Sequence, residues 1–261
     1  MYGDCRQVGA FVSLSSSLWF PKRRMISGRK LFRAVYACLP ISSHPPIYFV
    51  LGGPGSGKGT QCGMLANKLP GLVHPICVGD LLRQEALQEN TRGKWIASIL
   101  EQGNIVPGFV TLGLLSRVVV REQQGRNTTR AILMDGFPRT LDQAIAFEQQ
   151  IGTCRAVLYL ECSSDVLKAR LLQRSTTSGR KDDVARVIER RLETFERETS
   201  QVVEYYRKKG ILRCFSGEGE PQVVLQSLLD YFRSELEAAV GLGGQAGDSL
   251  CGLRRASYEK R

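Results

Sequence analysis

The apolar run 47–51 passes directly into Gly52-Gly53-Pro54-Gly55-Ser56-Gly57-Lys58-Gly59-Thr60, after which helical spacing resumes. A strand that breaks into glycines and restarts as a helix leaves several backbone N–H groups pointing at one spot, where the helix dipole also favours negative charge. The segment therefore predicts a phosphate cradle. Glycines let the main chain approach phosphate oxygens with no Cβ in the way, and Lys58 can place its ammonium between the last two phosphates of a nucleoside triphosphate. A plain flexible turn is the alternative, and it explains neither the Lys nor the flanking strand and helix. The general loop pattern puts Ser or Thr directly after the Lys; here Gly59 stands there and the hydroxyl arrives at Thr60.

With 261 residues the chain can bury a full core, as one α/β domain with extras or two small domains. Its formal charge of +11 suggests nucleic acid until its distribution is read: +6 falls in residues 1–44 and +2 in residues 238–261, leaving +3 for the body. No stripe of basic residues interleaved with aromatics remains to track a nucleic-acid backbone, so no nucleic-acid partner is expected. Eight cysteines are scattered without a Cys-x-x-Cys pair, which fits reduced thiols. The stretch 8–20 is broken by Ser13, Ser15, Ser16 and Ser17 and is too short to span a bilayer, so no membrane span is expected. The Arg- and Ser-rich segment 1–44 resembles an organellar targeting peptide, which leaves cytoplasm or mitochondrion as the location. A basic extension, or initiation at Met25, is the other reading. Residues 238–261 read as a flexible tail.

Short apolar strands are predicted at 47–51, 73–77, 131–134, 156–160 and 211–215, alternating with helical patterns at 58–68, 80–89, 111–123, 141–149, 164–173 and 183–208. That alternation predicts an α/β fold, a five-stranded parallel sheet with helices on both faces. Ligands of such sheets bind at the carboxyl ends of the strands. The chemical candidates fall there: Gly52 after the first strand, Gly79-Asp80 after the second and Asp135-Gly136-Phe137-Pro138-Arg139 after the third.

Phosphoryl transfer asks a protein to align two anionic groups, exclude water and spread positive charge over the moving oxygens. Arg83, Arg139, Arg170, Arg174, Arg180, Arg190 and Arg191 offer planar forks suited to phosphate. Taken singly each reads as a solvated surface residue; their coincidence with strand ends and with the glycine loop reverses that reading in favour of a site. Neither His44 nor His74 is placed for a phosphorylated intermediate. The chain also lacks the Asn-Lys-x-Asp pattern of a guanine-nucleotide switch.

The glycine loop, Gly79-Asp80-Leu81-Leu82-Arg83, Gly103-Asn104-Ile105-Val106-Pro107, Asp135-Gly136-Phe137-Pro138-Arg139, Thr177-Ser178-Gly179-Arg180-Lys181-Asp182-Asp183 and Arg190-Arg191-Leu192-Glu193-Thr194 follow one another as in adenylate kinases. Over about 45–232 the chain resembles this family of nucleoside monophosphate kinases, with the UMP/CMP kinases as close relatives. The resemblance implies a kinase domain at 45–237 with a helical monophosphate-binding insert at about 80–108 and a short lid at about 174–184. It assigns Gly53, Gly55, Ser56, Gly57, Lys58, Gly59, Thr60, Arg170 and Arg174 to ATP, with Arg170 against the donor adenine. To AMP it assigns Val78, Gly79, Arg83, Val106, Gly136, Arg139, Gln143, Arg180 and Arg191. Lys58, Arg139, Arg174, Arg180 and Arg191 are the implied catalytic set, and Asp135 would hold Mg²⁺ through water. Asp135 reads also as the cap of the Gly136 turn, and Asp182 with Asp183 as lid residues or as a helix N-cap. The lid carries no Cys, so no zinc is implied.

The implied reaction is ATP + AMP ⇌ 2 ADP, carried out by a monomer. Gln143 stands where adenylate kinases have Gln and UMP/CMP kinases Asn, and its amide can donate to and accept from an adenine edge at once. Against that, Val78 replaces a Thr usual in adenylate kinases and offers no hydroxyl. A UMP/CMP kinase, and a scaffold that binds nucleotide without transferring phosphate, are the alternatives. If Lys58 and Arg139 act as charge clamps, Lys58→Met or Arg139→Ala lowers kcat by about three to five powers of ten. Near-normal turnover of either variant in a coupled ADP assay would refute the role.

Overall fold

Every residue of β1 (Ile47–Gly52) is buried, as expected of a strand covered on both faces. The computed structural model describes residues 45–124, 131–176 and 184–240. In it β1 pairs in parallel with β3 (Ala131–Asp135) on one side and β4 (Ala156–Glu161) on the other. β2 (Val73–Cys77) lies beyond β3 and β5 (Leu212–Ser216) beyond β4, so the order is β2-β3-β1-β4-β5 and all pairings are parallel. The expected five strands are all present, each shifted by one residue at most. Residues 1–44, the lid residues 177–183 with Arg180, Asp182 and Asp183, and most of the C-terminal tail, 241–261, lie outside the described residues.

Side chains alternate along β1 into two apolar layers, since successive Cβ atoms of a strand point to opposite faces. Phe49 and Leu51 join Ile132, Met134 and Val157 in one layer, while Tyr48 and Val50 join Leu133, Leu158 and Leu160 in the other. The second layer is closed by α1 (Lys58–Lys68), through Cys62 and Leu65, and by the last helix, α9 (Pro221–Val240), through Val224, Leu225, Leu228 and Phe232. On the first layer lie α2 (Val78–Ala86), α3 (Thr91–Glu101), α4 (Gly108–Gln124), α5 (Leu141–Gln150) and α8 (Ser200–Lys208). α6 (Ser164–Ser175) follows β4, and α7 (Ala185–Thr194) leads through a π-helical turn, Phe195–Thr199, into α8.

Two helices escape the periodicity argument. α3 opens on Asn90, whose side chain accepts from Gly93 N at 2.8 Å, an N-cap that a Gly-containing polar stretch concealed. α9 opens on Pro221, where a missing N–H costs nothing, and buries Val224, Leu225, Leu228 and Phe232 at helical spacing. It runs to Val240, three residues past the expected domain edge at 237. Of the pattern at 183–208, residues 185–208 form one helical path containing the π-turn, which brings buried Thr199 to the carbonyl of Arg139.

Among the described residues Cys62, Cys77, Cys154, Cys162 and Cys214 are free, and no helix is long and apolar enough to cross a membrane. Phe49 is the hub of the first layer: 0 % exposed, it makes edge contacts with Phe137, Phe147 and Tyr206 at centroid distances of 5.8, 5.1 and 5.9 Å. Phe49→Ala is expected to cost about 3–5 kcal/mol in urea denaturation. Leu87→Ala, at a side chain 80 % exposed, should stay within about 0.5 kcal/mol, and equal losses would contradict this packing.

Candidate active site

The strand order reverses about β1, and at such a switch point the loops leave the sheet in opposite directions and open a crevice. The crevice is a cavity of about 850 Å³. Into it turns the glycine loop, where Gly55 and Gly57 both have φ +88°, a left-handed conformation that glycine adopts without strain. A Cβ on Gly55 would lie 2.9 Å from the carbonyl oxygen of Leu167. α1 then starts with no side-chain cap and no acid in its first turn, so its leading N–H groups remain available to an anion.

Lys58 folds back over this loop. Its Nζ donates to Gly52 O and Gly53 O, both at 2.8 Å, and to Ser56 Oγ at 3.3 Å. Burial lowers its pKa to about 8; Asp135 pulls the other way, while Arg139 and Arg191 add to the depression. Burial pushes the Asp135 carboxyl up, against the pull of Lys58 and Arg139. Cys77 beside it is pushed up to about 12, by burial first and then by Asp135, so its thiol stays protonated at neutral pH.

Five guanidinium-bearing residues line the same cavity as Lys58: Arg83, Arg139, Arg170, Arg174 and Arg191. Each has an identifiable hold or neighbour. Arg83 donates through Nε and Nη2 to Asp80 Oδ1, and a Cβ on Gly79 would meet its Nη2 at 3.2 Å, so that glycine makes room for the fork. Arg139 is fixed through its backbone and side chain together: Nε donates to Gly136 O at 3.1 Å, its N–H to Gln143 Oε1 at 3.0 Å, and its carbonyl accepts from Thr199 Oγ1 at 3.0 Å. Arg170 donates to Gly217 O at 2.6 Å and Glu218 O at 3.1 Å.

Of the other residues singled out from sequence, Gly55, Ser56, Gly57, Gly59, Thr60, Gly79, Asp135 and Gly136 line this cavity. Gly53 does not; its hydrogen lies where a Cβ would strike Leu167 Cδ1 at 2.3 Å. Val106 and Gln143 line an adjoining cavity of about 520 Å³, which shares Ile105 and Thr194 with the first. Gln143 Nε2 donates to Val106 O at 3.2 Å, so both ends of its amide are engaged by backbone. Val78 lines neither cavity: it is 3 % exposed and packed in the first apolar layer. Arg180 lies outside the described residues.

Several lining residues had gone unremarked. Thr199 reaches the site through the π-turn, which periodicity does not reveal. The 217–221 segment follows β5, and its place at that strand's carboxyl end was the signal available.

The residues also suit a hard divalent cation. Asp135 lies 3.2 Å from where a Cβ on Gly59 would be, so the glycine after Lys58 keeps space beside a buried carboxylate. With Thr60 nearby this is an oxygen donor set of the kind Mg²⁺ takes up together with substrate phosphates. Among the described residues no group of three or more His, Cys, Asp or Glu is arranged to hold a metal ion by protein ligands alone.

Comparison with known proteins agrees with this geometry. Residues 50–211 match the family model described as adenylate kinase. Adenylate kinase isoenzyme 1 of Homo sapiens is 40 % identical over 182 residues, covering 70 % of this chain and 91 % of that protein. The Gallus gallus isoenzyme 1 is 38 % identical over 188 residues, covering 72 % and 94 %. Adenylate kinase isoenzyme 5 of Mus musculus is 43 % identical over 182 residues, 70 % of this chain, but the match spans 32 % of that longer protein. Glycine loop, convergent arginines and this similarity agree: the chain belongs to the adenylate kinase family of nucleoside monophosphate kinases and is a phosphotransferase.

Proposed function

We propose that the chain transfers the γ-phosphoryl group of ATP to AMP, giving two ADP, by direct in-line displacement within one chain. The observation that carries the reading is the gathering of Lys58, Arg83, Arg139, Arg170, Arg174 and Arg191 around one cavity at the switch point of the sheet. In this reading the N–H groups of Gly55, Gly57, Lys58, Gly59 and Thr60 cradle the donor phosphates, and Lys58 swings from the Gly52 and Gly53 carbonyls onto them. Arg83 and Arg139 hold the acceptor's phosphate. Arg174 and Arg191, with Arg180 on the strength of the family resemblance, gather on the group in transit, and Arg170 lies against the donor base. The segment 80–108 serves as the acceptor-binding insert and 174–184 as the lid.

Asp135 would hold Mg²⁺ through water, and the ion would supply charge neutralisation on the donor phosphates. An oxygen of the acceptor phosphate forms the new bond to the γ-phosphorus while the bond to the β–γ bridging oxygen breaks, and the electron pair leaves with ADP. A phosphate nucleophile is already ionised, so no general base is required. His74 stands outside the cavity, on β2 near Glu122, and takes no part. Water exclusion falls to the lid, since water would otherwise accept the phosphoryl group.

Gln143 supports adenine as the acceptor base: its amide already bridges Arg139 N and Val106 O, and the same donor and acceptor would serve an adenine edge. Val78 is buried in the first apolar layer, so this reading asks no contact with the acceptor base of its side chain. A coupled assay offering AMP, CMP and UMP side by side should give the highest kcat/KM with AMP; preference for CMP or UMP would overturn the acceptor assignment.

The depressed pKa of Lys58 sets a pH dependence. ATP phosphates favour the protonated ammonium, while the nucleotide-free protein loses that proton as pH rises through about 8. The dissociation constant of Mg-ATP measured calorimetrically should therefore be flat just above pH 7 and weaken beyond pH 8, by at most about tenfold per pH unit. Lys58→Met should bind weakly with no such rise. A wild-type profile flat to pH 9.5 would contradict the assignment.

A further inference from the structure

Gln61, next after Thr60 in α1, has a buried amide that the phosphate chemistry does not use. It is 3 % exposed and lines the main cavity. Its Nε2 donates to Pro221 O at 2.9 Å, across 160 residues of sequence, while Oε1 is buried with no hydrogen-bond partner among the described residues. The donor at Nε2 fixes which end of the amide is which, because a carbonyl can only accept.

Pro221 ends the 217–221 segment and begins α9. The start of that segment is already pinned: Gly217 N donates to Glu161 O at 2.7 Å, Arg170 donates to Gly217 O and Glu218 O, and Ser163 N donates to Glu218 Oε1 at 2.6 Å. Gln61 pins its end to the helix whose N-terminus forms the phosphate cradle. The segment is thereby held on two sides, by β4 and α6 at one end and by α1 at the other.

An unpaired buried amide oxygen is unfavourable, and folded proteins keep few of them. Unlike the buried hydroxyls of Tyr206 and Tyr231, Gln61 Oε1 belongs to a residue that lines the main cavity, and that placement points to a partner gained in the nucleotide-bound state. We infer that Gln61 is a positioning residue for the donor nucleotide: it sets the 217–221 wall at a fixed distance from the phosphate cradle, and Oε1 accepts an N–H or O–H hydrogen once the donor is bound. This rests on the placement of the donor between Lys58 and Arg170 proposed above. Because the acceptor is assigned to the Arg83 and Arg139 side, Gln61 bears on one substrate and leaves the other untouched.

Steady-state kinetics of the full chain with Gln61→Met, which keeps length and removes both hydrogen-bonding ends, test the inference. KM for ATP should rise about tenfold, the equivalent of one buried hydrogen bond, while KM for AMP stays within about twofold. Gln61→Glu keeps an acceptor and loses the donor to Pro221 O, and it should raise KM for ATP in the same selective way. Circular dichroism checks that each variant is folded. Unchanged KM values, equal rises for ATP and AMP, or loss of the fold in both variants would make Gln61 a simple strut and overturn its donor-specific role. A wild-type chain that forms no ADP from ATP and AMP would instead remove the underlying reading, and the inference with it.

Discussion

Mutual repulsion among cations, offset in part by the buried carboxylate of Asp135, is the constraint around which this structure is arranged. Lys58 and five arginines share a single cavity with Asp80, Asp135, Glu218 and Glu220. Arg83 donates to Asp80 and Ser163 N to Glu218, while the buried carboxylate of Asp135 acts on Lys58 and Arg139. In a partly desolvated site such charges interact more strongly than in water; burial is the main cause that lowers the pKa of Lys58, with Arg139 and Arg191 adding to it against Asp135. A polyanion relieves the repulsion. The binding free energy of the two nucleotides therefore comes in part from charge that the empty protein holds at a cost, a usual trade between function and stability.

The fold makes this possible by geometry. β1 is central and buried on both faces, so its carboxyl end opens into the middle of the sheet's edge rather than at a corner. β3, beside it, delivers Asp135, Gly136 and Arg139, and β4 leads into α6 with Arg170 and Arg174. Chain segments distant in sequence are then locked by single hydrogen bonds of high leverage. Thr199 in the π-turn fixes the carbonyl of Arg139, and Gln61 fixes that of Pro221. Each ties a wall of the cavity to an element on another side of it.

Strands and the glycine loop were legible in the sequence because both rest on local rules: runs of apolar residues with turn signals, and a backbone that must bend where glycine stands. The arginine set was legible only in part. Arg83 and Arg139 adjoin strand ends, whereas Arg191 needs the path of a long helix to be placed, and Val78, which the family resemblance assigns to AMP, has its side chain buried in the core. α3 and α9 escape the periodicity argument because a Gly-bearing start and a proline start resemble loops, although the family resemblance implies a helical insert over the residues of α3. Thr199 and Gln61 depend on contacts 60 and 160 residues away, which no local pattern encodes.

Convergence of two polyanion sites on one set of cations is the central claim, and a single molecule carrying two adenosines joined by a polyphosphate chain examines it directly. Calorimetric titration should show one such molecule bound per chain, far more tightly than ATP or AMP alone, because linking the two halves makes the second binding step intramolecular. It should be displaced by ATP and AMP together. An affinity no better than that of ATP, or two molecules bound per chain, would show that the cavity holds one nucleotide and would contradict the account.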